Sequence, residues 1–489
     1  MALRFVDIVE EARLSARALL DYGDHFFNPT VRLGVTGLSR AGKTVFITAL
    51  IHGLTRGGRF PVFEPFATGR IARARLAPQP DDAVPRFDYE NHVRTLIEER
   101  RWPNSTVDIS ELRLVIDYQR QNGAERTLTL DIVDYPGEWL LDLPLLQKSY
   151  EQWSAESLAL SRDGPRARLA TQWHAHLATL DPVGQADEQA ALTSARQFSD
   201  YLRACRDERV AMSLLPPGRF LMPGNLAGSP ALTFAPLDLP AEGVAPDGSL
   251  WAMMVRRYEA YKDVVVRPFF RDHFSRLDRQ IVLVDALAAF NAGPEALHDL
   301  EGALAGILDC FRIGRSTLLS HLFRPRIDRI LFAATKADHL HQSSHDRLEA
   351  VLRRIVAKAA DRAEHSGAEI DVVALAAVRA TREARVQRGR DKLPSILGTP
   401  AADETADGEA FDGNTDVATF PGDLPIDPEE LFRGEGAFRG LSSTTTEKAD
   451  FRFLRFRPPH LESEGPDGPL LPHIRLDRAL QFLIGDKLQ

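Results

Sequence analysis

The stretch Gly37-Leu38-Ser39-Arg40-Ala41-Gly42-Lys43-Thr44 sets two glycines, a lysine and a hydroxyl at the spacing of a phosphate-binding loop. A tight turn of this kind aims backbone N–H groups at a β-phosphate, and the donors expected here come from Gly37, Ser39, Arg40, Ala41 and on to Val45. Lys43 would add a positive charge between the β- and γ-phosphates, and a helix opening near Gly42 would add the positive end of its dipole. The Thr44 hydroxyl would supply one oxygen to Mg²⁺. A second group, Asp134-Tyr135-Pro136-Gly137, closes the apolar run Leu128 to Val133. A carboxylate at a strand's C-terminal end can hold the same Mg²⁺ through water. Gly137 can bring its N–H close to a γ-phosphate where a β-carbon would crowd. A third group, Thr335-Lys336-Ala337-Asp338, follows the run Ile330 to Ala334. Asp338 there can accept hydrogen bonds from guanine N1–H and the 2-amino group, which adenine does not offer, while the Lys336 stem lies over the base. Guanine is therefore the expected base, with adenine or mixed specificity as the alternative.

Several positions depart from the simplest nucleotide-switch pattern. Glu138 stands directly after Gly137, where a glutamine would orient the attacking water. A carboxylate there can act as a base, but it repels a γ-phosphate unless neutralised. The competing reading is a structural glutamate. Arg40 lies inside the loop and could place positive charge on the transition state in cis, against the plainer reading of a solvent-facing or salt-bridged arginine. The last base-binding loop should follow Ile370 to Ala374, where Ala376-Ala377-Val378-Arg379 leaves only backbone contact at Ala377 or Val378. A threonine that binds Mg²⁺ in the triphosphate state should lie between the first helix and the hairpin. Thr106 is the candidate and Thr68 its rival.

The elements that must position these residues are legible as alternating apolar runs. Residues 31–35 read as a buried strand and 44–54 as a helix. Residues 60–106, with several prolines, read as an irregular connection. The runs 111–119 and 126–133 flank Gln121-Asn122-Gly123 as a hairpin. The stretches 152–181 and 187–209 read as helices in a mostly helical insertion over 138–278. Strands at 280–284, 329–334 and 370–374 then alternate with helices near 294–311 and 346–363. A strand at 452–456 and a helix at 474–484 close the chain. The expected fold is α/β: a P-loop nucleoside triphosphatase core with a mostly parallel sheet. An amphipathic helix over 3–20 packs on it, so the expected organisation is 1–30, a core in two parts at 31–137 and 279–395, an acidic mobile insertion at 396–435, and 436–489 closing the core.

Composition narrows the function classes. The 489 residues carry 60 Lys and Arg against 69 Asp and Glu, a net charge of −9 that argues against a nucleic-acid binder. Residues 401–430 hold ten acids and no Lys or Arg, which accounts for the whole negative excess. Two cysteines, Cys205 and Cys310, make neither a disulfide framework nor a four-cysteine zinc site and fit a reducing cytoplasm. Residues 1–20 lack the uninterrupted apolar stretch of a signal peptide, and no 18-residue apolar run follows, so membrane contact is at most peripheral. His339 and His341 beside Asp338 lack the context of a metal site.

Beyond these motifs, Gly34-Val35-Thr36-Gly37 leading into the loop, Asp131-Ile132-Val133-Asp134-Tyr135-Pro136-Gly137-Glu138-Trp139-Leu140, Thr335-Lys336-Ala337-Asp338 and Arg475-Leu476-Asp477-Arg478-Ala479-Leu480 resemble the YcjX family of bacterial stress-associated P-loop proteins. The resemblance implies a cytoplasmic GTP-binding protein with a Ras-like core, helical additions and Mg²⁺. The residues and the resemblance together lead to the expectation of slow GTP hydrolysis to GDP, driven by Lys43 with Arg40 and Glu138 as further candidates. Thr44, Asp134 and Thr106 would face the metal. An unidentified protein partner would read the nucleotide state through the helical insertion. A nucleotide-gated scaffold with negligible turnover, or an ATPase, is the alternative.

Overall fold

A computed structural model describes residues 29–310, 327–433, 453–461 and 469–489, apart from Ser39, Ser105, Val107 and residues 208–209, 241–242, 365–367, 389–390 and 407–408. The helix expected over 3–20 lies outside the described residues.

The chain enters at β1 (Thr30–Gly37) and passes through the phosphate loop into α1 (Lys43–Arg56). It continues through β2 (Ile71–Ala77), α2 (Tyr89–Ile97) and the hairpin β3 (Ser110–Gln119) and β4 (Glu125–Asp134). The longest helices of the insertion are α3 (Tyr150–Ser161), α4 (Glu188–Arg206) and α5 (Leu250–Tyr261). The core resumes with β5 (Arg279–Val284), α6 (Ala286–Ala292), α7 (Pro294–Cys310), β6 (Arg329–Ala334), α8 (His345–Glu364) and β7 (Glu369–Ala374).

These strands form one seven-stranded sheet in the order β2-β3-β4-β1-β5-β6-β7. The five strands from β4 to β7 run parallel, and β2 and β3 are antiparallel additions at one edge. β5 is buried along its whole length because helices cover both faces, which is why it reads as a continuous apolar run after Arg279-Gln280. From β1 the connections leave in opposite directions, to β4 on one side and β5 on the other. The carboxyl ends of strands at such a reversal leave a crevice, and open α/β sheets bind their ligands there. The fold is thus the α/β P-loop architecture with a Ras-like core and a large helical insertion.

Two apolar cores sit on the two sheet faces. One lies under α1 and a C-terminal helix, where Leu476, Ala479, Leu480 and Leu483 repeat at helical spacing and pack with Phe46 and Leu50. The other joins the sheet to the insertion. In it Trp153 stacks on Tyr258 at 5.2 Å and meets Phe198 and Phe234 edge-on.

Four expectations about elements need correction. Residues 60–106 are not irregular throughout, because they contain β2 and α2. β2 escapes a pattern reading because its sequence, Ile-Ala-Arg-Ala-Arg-Leu-Ala, buries little and relies on pairing with β3 at the sheet edge. The helix expected over 152–181 is three pieces, α3, Gly164–Leu169 and Thr171–Leu177. The break falls where Gly164 takes φ +48° and Pro165 follows, with Asp163 capping the second piece. Of the strand expected at 452–456, the described residues 453–456 form a single bridge, between Phe456 and Pro400, which lacks the N–H to extend a ladder. The acidic stretch, expected as a mobile insertion, carries regular structure. It holds the hairpin of β10 (Thr405–Ala406) and β11 (Glu409–Ala410), and β12 (Val417–Thr419). β12 pairs with β9 (Asp391–Gly398), which pairs with β8 (Arg382–Arg388). The acids there are engaged both locally and at long range: the Asp412 carboxylate accepts from the Asn414 and Thr415 N–H groups, both at 2.8 Å, and closes the turn, while Asp403 and Glu404 pair with Arg455 and Glu429 with Arg354.

Candidate functional site

The loop between β1 and α1 is built by backbone that few residues accept. Gly42 has φ +84° and Arg40 φ +59°, and a β-carbon on Gly37 would lie 2.5 Å from the Leu283 carbonyl. Lys43 is buried and its ammonium donates to the Gly37 carbonyl at 2.9 Å, so the charge is folded back over the loop. Arg40 is exposed at the loop's rim. Ser39 lies outside the described residues.

At the end of β4, Asp134 is buried and meets the loop through a hydroxyl relay. Thr106 Oγ1 donates to Asp134 Oδ2 at 2.8 Å and lies 3.3 Å from Thr44 Oγ1. The other carboxylate oxygen, Asp134 Oδ1, is buried and has no hydrogen-bond partner among the described residues. Burial pushes the Asp134 carboxyl up to about 6, against the opposing pull of Lys43 and of the Thr106 bond. One unsatisfied carboxylate oxygen and two hydroxyls converging from three segments are hard oxygen donors. That donor set fits Mg²⁺, which takes few protein ligands and completes its shell with phosphate and water. Among the described residues no cluster of three His, Cys, Asp or Glu exists that would suit a softer metal. Thr68, the rival of Thr106, is exposed and donates to the Glu64 carbonyl. The structure therefore brings Thr106, and not Thr68, to Asp134.

Gly137 approaches the loop more closely than any side chain would allow. A β-carbon on it would lie 2.0 Å from the Gly37 carbonyl oxygen, so the backbone itself is the contact. Gly137→Ala is expected to force the two segments apart, lowering stability by about 1–3 kcal/mol and weakening triphosphate binding. Thermal unfolding and a GTP titration check it; an unchanged midpoint together with unchanged affinity would remove the role assigned to this contact.

Residues 137–147 then form a 3₁₀ helix pressed into the insertion. Asp142 is its anchor. Its carboxylate accepts from the Gly218 N–H at 2.6 Å, the Arg219 N–H at 3.3 Å and the Tyr261 hydroxyl at 2.6 Å. Burial still pushes its carboxyl up to about 6. Glu138 is also buried, and its Oε1 lies 3.6 Å from Arg206 Nη1 at the end of α4.

On the other side of the switch point, Thr335 is buried and its N–H donates to the Val284 carbonyl at 2.9 Å. Lys336 takes the left-handed conformation, φ +60°, and its ammonium pairs with the Asp285 carboxylate. Asp338 is buried, and one of its oxygens accepts the Ala380 N–H at 2.8 Å, which leaves acceptor capacity on the other. Val378 is packed in the core with Ala377 against it, and Ala376 exchanges backbone hydrogen bonds with Ile474, so this loop is fixed from behind.

A cleft of about 910 Å³ runs between the two sides, lined by Leu38, Arg40, Glu138, Arg206, Asp285 and Lys336 among others. Its volume is that of a site for a ligand of nucleotide size. Asp338, turned to Ala380, does not line it. Among the lining residues that sequence reasoning missed are Asp285 and Arg206. Asp285 carried a readable signal, an acid immediately after a core strand. Arg206 carried none, because nothing local ties it to residue 138.

The sequence profile of the YcjX-like family matches residues 31–488. A relative from Escherichia coli (strain K12) named Ras-like GTPase YcjX is 36% identical over 484 residues, covering 94% of this chain and 96% of the relative. One of the same name from Shewanella oneidensis is 33% identical over 488 residues, covering 94% and 95%. No described helix is long and apolar enough to cross a membrane.

Proposed function

This chain belongs to the YcjX-like family, and from that premise we propose that it binds GTP with Mg²⁺, hydrolyses it slowly to GDP and phosphate, and changes conformation with the nucleotide. The observation that carries the proposal is the relay Thr44–Thr106–Asp134, with a buried carboxylate oxygen still seeking a partner beside Lys43. Lys43 leaves the Gly37 carbonyl and neutralises charge that develops on the β–γ bridge and the γ-oxygens. Loop amides orient the phosphates. Thr44, Thr106 and Asp134 would hold Mg²⁺, which when bound would supply charge neutralisation at the phosphates. Gly137 senses the γ-phosphate by its N–H. Asp338 and Lys336 select guanine, once Asp338 turns its free oxygen from the Ala380 side to the cleft and Lys336 exchanges its pairing with Asp285 for the base. A protein partner reads the outcome on the helical insertion, and the setting is a cytoplasmic stress response.

Calorimetric titration with GTP, GDP and ATP in the presence of Mg²⁺ is the test. Two hydrogen bonds to a charged acceptor separate guanine from adenine, so GTP is expected to bind about 100-fold more tightly than ATP. Equal affinities would remove the role given to Asp338. A nucleotide-gated scaffold is the second reading, favoured by the engagement of Glu138 with Arg206 where a water-orienting glutamine would stand. Phosphate release over many turnovers, with and without Glu138→Ala, separates them: release at the buffer rate in both proteins supports the scaffold.

A further inference from the structure

Glu138 sets an electrostatic problem. It follows Gly137, whose backbone is wedged against the Gly37 carbonyl, so its carboxylate is built beside the phosphate loop. Its side chain is 7% exposed, too little for water to screen it from a second anion. A carboxylate in that position opposes a terminal phosphate. The answer comes from 68 residues further along the chain. Arg206, in the last turn of α4, brings Nη1 to 3.6 Å from Glu138 Oε1, and both side chains line the cleft that Arg40 and Lys336 also reach. The same Nη1 lies 3.3 Å from Met222 Sδ, so the guanidinium is held from a second side.

We infer that Arg206 is a positioning residue of the nucleotide site: its fixed positive charge neutralises Glu138 and so lets a carboxylate share the cleft with a triphosphate. An arginine suits the task because it cannot lose its proton. The inference rests on the GTP reading and deepens it, since it makes the helical insertion part of the device that distinguishes GTP from GDP. Arg206 acts on the γ-phosphate through Glu138, whereas the β-phosphate, held by the loop, is indifferent to it.

The experiment is a set of calorimetric titrations with GTP and with GDP, both with Mg²⁺, on the full chain and its variants. In Arg206→Met the affinity for GTP relative to GDP is expected to fall about tenfold, because a buried carboxylate then faces the γ-phosphate unpaired. Arg206→Lys keeps the charge and should hold the ratio near wild type. Adding Glu138→Gln to Arg206→Met should restore it. Arg206→Gln, polar and uncharged, is the second variant should the methionine protein not fold, and must show the same drop. A merely structural arginine would lower both affinities alike, and glutamine at 138 would restore neither. The inference is overturned by an unchanged ratio in the uncharged variants, or by a lowered ratio that Glu138→Gln fails to restore. Wild-type protein that binds neither nucleotide would instead remove the GTP reading, and this inference with it.

Discussion

Replacing Lys43 with alanine is expected to weaken GTP binding by about 100- to 1,000-fold, the loss of one to two charge-assisted hydrogen bonds to phosphate. The free protein should tolerate the change, because the ammonium makes one short contact there, to the Gly37 carbonyl. The loop's shape is set by backbone at Arg40 and Gly42 and by close packing at Gly37, none of which depends on the lysine. Circular dichroism should therefore report a native spectrum and a small change in unfolding midpoint, while calorimetry reports the lost affinity. Undiminished GTP affinity in a folded Lys43→Ala protein would overturn the phosphate-loop assignment.

The second large effect has two opposite faces. Asp134→Asn is expected to stabilise the nucleotide-free protein near neutral pH by about 3 kcal/mol and to abolish the dependence of GTP binding on Mg²⁺. The stabilisation follows from the raised pKa. The folded state holds the Asp134 proton up to about 6, against an ordinary value of 3.8. Between those values the native state binds more protons than the unfolded chain, so wild-type stability falls as pH rises through that window and stays lower above it. Asparagine does not ionise and escapes the loss. Urea unfolding at pH 3.5 and at pH 7.5 checks the sign: about equal stabilities at the acid end and a gain for the variant at the neutral end. A variant destabilised equally at both would make Asp134 a purely structural residue. GTP titrations with Mg²⁺ and with EDTA check the other face. Wild type should lose affinity in EDTA, and the variant should bind equally weakly in both.

How much could be read from the chain depends on whether the signal was local. Thr30 to Arg56 is legible because apolar periodicity, glycine spacing and the Lys-Thr pair lie within one strand–loop–helix unit. β5 and β6 are legible for a related reason: strands covered on both faces leave unbroken apolar runs, whereas β7, at the sheet edge, keeps only the shorter run Val372 to Ala374. β2 is hidden because an edge strand needs little burial and its alternation is of alanine with arginine. The break at Gly164-Pro165 is visible in the residues themselves, but the amphipathic pattern on either side of it masks the interruption. The site divides in the same way. Lys43, Asp134 and Asp338 stand at strand ends in recognisable company, and Thr106 is reachable by asking which hydroxyl precedes the hairpin. The pairing of Glu138 with Arg206 and that of Lys336 with Asp285 are tertiary facts. Each joins elements far apart in sequence, and an arginine near a helix end looks the same whether it meets solvent or a buried carboxylate.

The seat of Asp142 has a thermodynamic corollary. Its carboxylate ties the segment after Gly137 to the amides of Gly218 and Arg219 and to the Tyr261 hydroxyl, and a β-carbon on Gly218 would lie 1.9 Å from the Glu138 carbonyl oxygen. There is no slack at that joint. Linkage is symmetric: if nucleotide binding shifts the seat of Asp142, a molecule on the insertion that favours one seating changes the nucleotide's affinity by the same factor by which the nucleotide changes that molecule's own. The lever works from either end, and an outside hand on the helices could empty the cleft as readily as the cleft's contents could move them.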